Sequence, residues 1–398
     1  HPRVRRQRQM CIRDRYYTIE VEENGSLTIV DKANNVTYKN QGILVENGDD
    51  GDSFNYSPPR KDMEVFSNES KCTVKISGSD IYDQAEIHFD MVVPADLDER
   101  AEGKVSVTML VDMTVALRKD SKVIDFNVKV DNKGLSHRLC VLFDSQIVSA
   151  FNYADQQFGL IKRPNYYEKE MKLYMESMNN KTEKKAGIQE LANWANDQST
   201  WQEPPISIEP TQSYVSLTDG KTGIAVIPQG VREYEVLDDS KIRLTLFRTY
   251  GFMGKENLIY RPGRASGERI IETPAAQLLK EMEFNFGFTS YAGDINDSDI
   301  DTLAKQYNTN LEVYTYAEFL NGRLIFSQRE IEGQNAKIHS LFETEGNLVV
   351  SAVKKAEEDD GYIIRLYNGK DHKDLDDKIK FNFDIKEAYY TCLLYTSD

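Results

Sequence analysis

Residues 16–40 read YYTIEVEENGSLTIVDKANNVTYKN, and apolar and polar side chains alternate along this stretch. A period of two places alternate side chains on one face of a strand, here Tyr17, Ile19 and Val21, continued on the next strand by Leu27 and Ile29. Between them, the dipeptide Asn24-Gly25 tolerates the positive φ of a type I′ hairpin turn. The stretch therefore predicts a β-meander, in which antiparallel strands are joined by tight turns.

Strand-like alternation continues through most of the chain and is interrupted by turn residues at short intervals. The runs are residues 71–78, 85–94, 104–117, 122–132, 137–145, 213–230, 232–251 and 280–291. Many short strands separated by turns are typical of an antiparallel sandwich and not of βαβ units. We predict an all-β protein, with a large antiparallel β-sandwich followed by a small one.

Composition changes along the chain indicate how these parts are divided. We place the large sandwich at residues 16–291, with a charged, Met-bearing and partly helical insertion at 165–200. Small, polar and acidic residues then predict a linker at 292–312. Alternation resumes afterwards, and we assign residues 313–391 to the small C-terminal β-sandwich.

The two ends of the chain differ from its body. Residues 1–15, HPRVRRQRQMCIRDR, hold six arginines and one aspartate, and they resemble the translated read-through of a sequencing adapter. Residues 392–398, CLLYTSD, resemble another such frame. We expect both segments to be non-native and the natural protein to be longer, so the absence of a targeting signal in this sequence carries no information. The alternative is a basic arm that binds an acidic partner.

Charge excludes several classes of partner. The chain has 49 basic and 65 acidic side chains, a formal net charge of −16, and no basic patch is evident in its body. This balance argues against nucleic acid and anionic lipid, and no apolar run approaches the ~20 residues that span a membrane. The four cysteines form no CxxC pair and fit a reducing compartment, so we expect a cytoplasmic location.

The segment ENGDDGDSFNYSPP, residues 46–59, packs three aspartates, Asp49, Asp50 and Asp52, into a stretch that also holds two glycines and a Pro-Pro pair. It is not an EF-hand, because Arg60 stands at the twelfth position counted from Asp49, where that loop needs glutamate. Its aspartates could bind a cation or accept hydrogen bonds from sugar hydroxyls. A solvated turn between strands is the other interpretation.

Other sequence patterns for catalysis or metal binding are weak. His88 and Asp90 lie two positions apart on a predicted strand, so both could reach one ion, but only five histidines exist to complete a site. A pair of side chains on a strand surface is the favoured interpretation. The chain has no G-x-S-x-G elbow, no P-loop and no G-x-G-x-x-G after a strand.

A set of ordered motifs resembles the C-terminal region of family 38 glycoside hydrolases, the α-mannosidases, especially the bacterial branch that includes mannosylglycerate hydrolases. The motifs are ENGDDGDSFNYSPP (46–59), RLCVLF (138–143), KRP (162–164), WQEPP (201–205), LTDGKTGIAVIPQGVREYEV (217–236), LTLFRTYG (244–251), LIYRPGRASG (258–267) and TPAAQ (273–277). LVVSAVKKAEEDDGYIIRLYN, residues 348–368, resembles the last small domain of the same family.

This resemblance implies a large sandwich of the supersandwich type, an immunoglobulin-like second sandwich, and an upstream catalytic domain that the sequence lacks. In the family, that domain holds a zinc ion and a nucleophilic aspartate, and it hydrolyses α-mannosidic bonds with retention. The chain is then part of an enzyme, a glycosidase, and inactive alone. We expect no cofactor in this fragment and zinc in the missing catalytic domain.

Four residues are expected to reach the sugar cleft of such an enzyme: Asp50, Asp52, Tyr56 and Arg264. The implied partners are an α-mannoside substrate and the missing N-terminal catalytic domain. No catalytic or metal-binding residue can be assigned in this chain. Two alternatives stay open, a stand-alone carbohydrate-binding β-sandwich and an aldose-epimerase-like sandwich enzyme, although the few histidines argue against the latter.

Overall fold

The computed structural model describes residues 10–180, 203–261, 270–312, 340–346, 348–357, 360–370, 374 and 376–391. Arg264, the tail at 392–398, and most of the predicted insertion beyond residue 180 lie outside these ranges. The chain divides into two compact units. The first comprises residues 1–156 and 161–308, and the second comprises residues 157–160 and 309–398. The predicted domain boundaries stay predictions.

The described residues are mostly β-strands, numbered here along the chain. The strands are β1 (Met10–Arg13), β2 (Tyr17–Val21), β3 (Leu27–Asp31), β4 (Val36–Gln41), β5 (Ile43–Gly48), β6 (Val65–Phe66), β7 (Lys71–Gly78), β8 (Tyr82–Val93), β9 (Val107–Arg118), β10 (Ile124–Asp131), β11 (His137–Asp144), β12 (Phe151–Gln156), β13 (Gly159–Pro164), β14 (Glu209–Pro210), β15 (Val215–Thr218), β16 (Thr222–Gln229), β17 (Glu233–Leu237), β18 (Lys241–Arg248), β19 (Glu281–Ala292), β20 (Phe342–Glu345), β21 (Leu348–Lys355), β22 (Tyr362–Asn368) and β23 (Lys378–Phe381). The α-helices are α1 (Leu97–Ala101), α2 (Glu168–Asn180) and α3 (Ile300–Asn308), and short 3₁₀ helices span Ser67–Glu69, Pro274–Gln277 and Ile295–Asp297.

The predicted meander is confirmed as a four-stranded sheet in the order β1-β2-β3-β4. The turn between β2 and β3 is not type I′, because only Gly25 has a positive φ, of 80°. Strand β1 pairs with β2, and its Ile12 is buried in the core. Residues 10–13 therefore pack into the fold, and the non-native origin of residues 1–15 stays a prediction.

Two larger sheets form the sandwich in the described part of the first unit. One has the strand order β13-β12-β15-β16-β19-β10-β9-β8-β7, and the other has the order β14-β17-β18-β11-β5-β6. Neighbouring strands run antiparallel, as in the pairing of Phe126 with Phe286 between β10 and β19. The long strands of the first sheet bury every second side chain, which is the pattern from which the sequence predicted them.

Aromatic side chains fill the core between these two sheets. Phe126 of β10 stacks on Phe286 of β19 at 5.2 Å between ring centroids, and Phe143 of β11 meets Phe126 edge-on at 5.3 Å. Burying such a side chain stabilises the fold by about 1.5–3 kcal/mol. These contacts join β10 and β19 of one sheet to β11 of the other, as the sandwich prediction requires.

The helices and the second unit complete the described structure. Helix α2 starts the predicted insertion, in agreement with its partly helical pattern. Helix α3 lies in the segment predicted as a linker, but it is packed, with Ile300 and Ala304 buried. Within its described residues, the second unit contains two antiparallel strand pairs, β20 with β23 and β21 with β22. The all-β fold class is confirmed. In the portion of the chain that the structure describes, no helix is long and apolar enough to cross a membrane.

Candidate functional site

The acidic loop, defined as residues 49–59, follows strand β5 and folds back on itself. The Asp50 N–H donates to the Ser57 carbonyl at 2.8 Å, and the Asp52 N–H donates to the Asn55 carbonyl at 3.0 Å. Gly51 is required inside this turn, because a Cβ there would lie 2.0 Å from the Asn55 carbonyl oxygen. The backbone therefore sets one compact conformation for the loop.

Each aspartate of the acidic loop forms an ion pair with a different cation from the segment that begins at the last residue of β18. The pairs are Asp49 with Arg248, Asp50 with Lys255, and Asp52 with Arg261. We call residues 248–261 the basic segment. Opposite charges at three successive places hold the loop and the basic segment against each other.

Asp52 is fully buried and its acceptor capacity is used. Its Oδ1 accepts the N–H groups of Phe54 and Asn55 at 3.0 and 3.1 Å, and its Oδ2 accepts the N–H of Lys255 at 2.9 Å. Burial alone would raise the pKa of Asp52, but the hydrogen bonds from Arg261 and from these amides outweigh it and lower the pKa. In this arrangement Asp52 positions the loop, and a direct sugar contact would have to displace these donors.

Asp49 is also buried and pairs with Arg248 through both carboxylate oxygens. The Arg248 Nε–Oδ2 and Nη2–Oδ1 distances are 2.7 and 3.2 Å. Burial raises the pKa of Asp49, and the Arg248 guanidinium opposes that rise. Arg248 also donates to the carbonyls of Asp52 and Asn55 at 2.9 and 2.8 Å, so one guanidinium fixes both ends of the turn.

Tyr56 points into the protein, where it is 7% exposed. Its hydroxyl accepts a hydrogen bond from Asn47 Nδ2 at 3.0 Å, and the Arg138 guanidinium lies over its ring at 3.9 Å from the centroid. Burial raises the pKa of Tyr56, so the phenol stays protonated. Tyr56 anchors the acidic loop on the sheet below it.

Among the described members of the predicted set, Asp50 is the accessible one. Its side chain is 31% exposed and that of its partner Lys255 is 29% exposed. Phe54, at the tip of the loop, is 60% exposed. Arg264 lies outside the described residues. The roles of Asp50, Asp52, Tyr56 and Arg264 in sugar binding stay predictions, and the geometry favours Asp50 for direct contact.

A buried ionic network lies beneath the loop, and the sequence analysis did not predict it. Glu235 of β17 accepts hydrogen bonds from Arg138 of β11 and Arg243 of β18 at 2.9 and 2.8 Å. Asn47 of β5 accepts from Arg138 at 2.9 Å. A signal was available in the sequence, namely charged residues inside otherwise apolar strands. Charged side chains are rarely buried unless they are paired, so their presence in buried strands indicates ion pairs.

The described residues do not fit a zinc site. Among them, no group of three or more His, Cys, Asp or Glu side chains is placed to hold a metal ion. His88 on β8 uses both ring nitrogens on carboxylates, with Nδ1 at 2.6 Å from Asp112 and Nε2 at 3.2 Å from Asp90. Each ring nitrogen thus contacts a different carboxylate, as expected for side chains that pair on a strand surface.

Comparisons with protein families and with solved structures agree with the observed β-sandwich fold. The sequence profile of the glycosyl hydrolases family 38 C-terminal domain matches residues 12–252. The chain belongs to glycosyl hydrolase family 38. The profile of the family 38 C-terminal β-sandwich domain matches residues 347–397.

Relatives in family 38 are substantially longer than this chain. A protein of Halalkalibacterium halodurans that is assigned as a mannosylglycerate hydrolase is 23% identical over 372 residues, a match that covers 88% of this chain and 35% of that protein. The chain thus spans about a third of the relative's length.

Two solved structures from Enterococcus faecalis share the family 38 fold with this chain. One, a protein in glycosyl hydrolase family 38, is 19% identical with a TM-score of 0.71, and the match covers 93% of this chain and 39% of that one. The other, an α-mannosidase, is 21% identical with a TM-score of 0.69, and the match covers 90% of this chain and 36% of that one. At these identities the likeness supports the fold and not a shared activity.

Proposed function

We propose that this chain is the C-terminal part of an α-mannosidase-like glycoside hydrolase. It supports a zinc-dependent, retaining catalytic domain and lines one side of that domain's sugar cleft. One observation carries the proposal. Two family 38 C-terminal profiles match this chain in order, at residues 12–252 and at residues 347–397, and the chain spans 35% of the length of its curated relative. The α-mannoside substrate class is proposed because the relatives are named for mannosidase and mannosylglycerate hydrolase activity.

The acidic loop is the part of the chain that we assign to the sugar cleft. Its ion pairs with the basic segment fix its conformation before substrate binds, which lowers the entropy cost of recognition. Asp50 and Lys255 then offer an acceptor and a donor for sugar hydroxyls, and the exposed Phe54 offers an aromatic face. A rigid polar rim with one aromatic side chain suits the neutral sugar ring of a mannoside.

We assign no step of the hydrolysis to the described residues. A retaining glycosidase needs a nucleophilic carboxylate and an acid/base carboxylate about 5–5.5 Å apart across the scissile bond. Asp49 and Asp52 are buried in ion pairs with Arg248 and Arg261, so neither is free to attack an anomeric carbon. The nucleophile and the zinc ligands are proposed to lie in the catalytic domain.

The test compares three purified proteins on an aryl α-mannoside and on mannosylglycerate. They are this chain alone, the portion of the Halalkalibacterium relative that precedes the matched region, and a fusion of the two. We expect turnover from the fusion, much weaker turnover from the catalytic portion alone, and none from this chain. Turnover by this chain alone would contradict the proposal. A binding isotherm from this chain alone in calorimetric titration with mannosides would support the carbohydrate-binding alternative.

A further inference from the structure

Arg138 lies on the face of the six-stranded sheet that points away from the core. Leu139 and Val141 belong to the core, so the alternation of side chains along β11 places Arg138 on the opposite face. Such a face would meet solvent in an uncovered sheet, yet only 1% of the surface of Arg138 is exposed. The acidic loop contributes to the cover, because the Arg138 guanidinium lies 3.9 Å from the centroid of the Tyr56 ring. The loop therefore packs on a buried cation.

The contacts of Arg138 hold its guanidinium in one plane. Its Nε donates to Asn47 Oδ1 on β5, and its Nη2 donates to Glu235 Oε1 on β17, both at 2.9 Å. Within the described part of the chain, Nη1 meets no hydrogen-bond acceptor, which leaves the electron-rich face of Tyr56 as the further partner of the cation. A planar guanidinium can bind two acceptors and an aromatic face at once, whereas the ammonium group of lysine lacks this fork.

Asn47 joins Arg138 and Tyr56 into a closed set of three side chains. The amide oxygen of Asn47 accepts from Arg138, and its Nδ2 donates to the Tyr56 hydroxyl at 3.0 Å. Arg138 thus contacts the face of the Tyr56 ring directly and is linked to its hydroxyl through Asn47. Tyr260 of the basic segment meets the same ring edge-on, at 6.0 Å between centroids. The Tyr56 ring is therefore held by the sheet below it and by the basic segment beside it.

Tyr56 stands between the two backbone acceptors that shape the acidic loop. The carbonyl of the preceding residue, Asn55, accepts the N–H of Asp52 at 3.0 Å. The carbonyl of the following residue, Ser57, accepts the N–H of Asp50 at 2.8 Å. A displacement of Tyr56 would therefore disturb both hydrogen bonds, and the partly exposed carboxylate of Asp50 would move with the backbone that carries it.

We propose that Arg138 is a positioning residue of the proposed sugar cleft, which acts through Tyr56 to fix where the acidic loop presents Asp50. Its kinetic consequence rests on the proposed function, whereas its effect on the loop does not. Glu235 already accepts from Arg243 Nε at 2.8 Å, so charge balance does not require Arg138. A buried charge also contributes little net stability compared with a well-packed apolar side chain. The orientation of the Tyr56 ring is what the contacts of Arg138 determine.

The first test is amide hydrogen exchange of the full chain carrying Arg138→Met, in which Glu235 keeps Arg243 and no carboxylate is left unpaired. We expect protection of the Asp50 amide to fall about tenfold more than protection of the Phe126 amide in the core. The matched control is Arg243→Met, which removes the other arginine from Glu235 and should change this ratio by less than about twofold. A ratio that stays unchanged in Arg138→Met, or that falls equally in the control, would overturn the proposal.

The second test measures the kinetics of the fusion with a catalytic domain on an aryl α-mannoside. A displaced loop weakens sugar binding without touching the reacting atoms, so Arg138→Met should raise KM about tenfold and leave kcat within about twofold. Loss of folded protein would instead lower kcat and leave KM unchanged. Adding Arg138→Met to Tyr56→Leu should change KM by less than about twofold, because both substitutions break the same contact. A lower kcat at unchanged KM, or additive effects on KM, would overturn the positioning role.

The two tests separate the role of Arg138 from the proposed function. A fusion that turns over no α-mannoside would contradict the proposed function, and exchange at the Asp50 amide of the chain alone would then decide whether Arg138 positions the loop. Reduced protection of Asp50 with unchanged kinetics in an active fusion would overturn the link between Arg138 and the cleft. Reduced protection together with a raised KM would support both.

Discussion

Arg261 and Asp52 form an ion pair in which the side chains are 6% and 0% exposed. They are 209 positions apart in the chain, and the pair joins the basic segment to the acidic loop. Arg261 also donates to the Asn55 side chain and to the Lys255 carbonyl, so it bridges three points of the two segments. We infer that this pair holds the loop in shape, and that the neighbouring pair of Asp50 with Lys255 is the one available to a ligand.

Replacing Asp52 should mainly affect folding. Asp52→Ala leaves the Arg261 cation buried without a carboxylate to balance its charge, so we expect the free energy of unfolding to fall by about 3–5 kcal/mol. Urea denaturation of the isolated chain measures this change. Asp50→Ala is the matched control, because its partly exposed pair should contribute less than about 1 kcal/mol. Equal losses in the two variants would show that burial does not distinguish these aspartates.

Replacing Asp50 should mainly affect sugar turnover, if the proposed function is correct. In the fusion with a catalytic domain, Asp50→Ala removes an exposed hydrogen-bond acceptor, and we expect kcat/KM on an α-mannoside to fall about tenfold. The melting temperature should stay within about 2 °C of the parent fusion, as for a surface substitution. Unchanged kinetics would remove Asp50 from the cleft.

Replacing Gly51 by alanine tests whether the turn of the acidic loop accepts a side chain at this position. A Cβ at Gly51 would lie 2.0 Å from the Asn55 carbonyl oxygen and 2.7 Å from Asp49 Oδ1, so Gly51→Ala should destabilise the chain by about 2–3 kcal/mol. Gly159→Ala provides the control, because a Cβ there meets no atom within 4 Å. A neutral Gly51→Ala would mean that the loop relaxes more easily than its hydrogen bonds indicate.

Asp155 should make stability depend on pH. Burial raises its pKa to about 6, against a hydrogen bond from Ser213, and the nearby Asp301 carboxylate adds to the rise. The native state therefore binds this proton more tightly than the unfolded state, so the contribution is complete below pH 3.8 and is lost as the pH rises through about 6. At pH 7 the native wild type carries a buried ionised carboxylate, which Asp155→Asn does not, so the variant should exceed wild type in unfolding free energy at pH 7 by about 1–2 kcal/mol.

Asp219→Asn should change the unfolding free energy at pH 7 in the opposite direction to Asp155→Asn. Amide N–H groups of Thr222 and Lys221 lower the pKa of Asp219, so its contribution is present above its ordinary pKa and is lost at lower pH. This variant should be less stable than wild type at pH 7, with a small effect because the turn is exposed. The same sign of change in both variants at pH 7 would contradict these assignments.

The sequence predicted the sandwich because alternation reports burial directly. Strands such as β8 and β9 bury every second residue, and that pattern is local. The burial of Asp52 could not be read in this way, because its partner Arg261 is 209 positions away. Helix α3 was missed for a different reason: small acidic residues precede it, and only tertiary packing of Ile300 and Ala304 shows its buried face.

The ion pairs of the acidic loop also limit when it can form. The two residues of each pair are separated by 199, 205 or 209 positions. Strands β6 to β17 therefore lie between them along the chain. Closing such long segments is slow, and it requires β5 and β18 to be placed on either side of β11 first. During synthesis, the three aspartates emerge long before their cations. We therefore expect the loop to be among the last parts of this sandwich to form, after β5, β11 and β18 have paired.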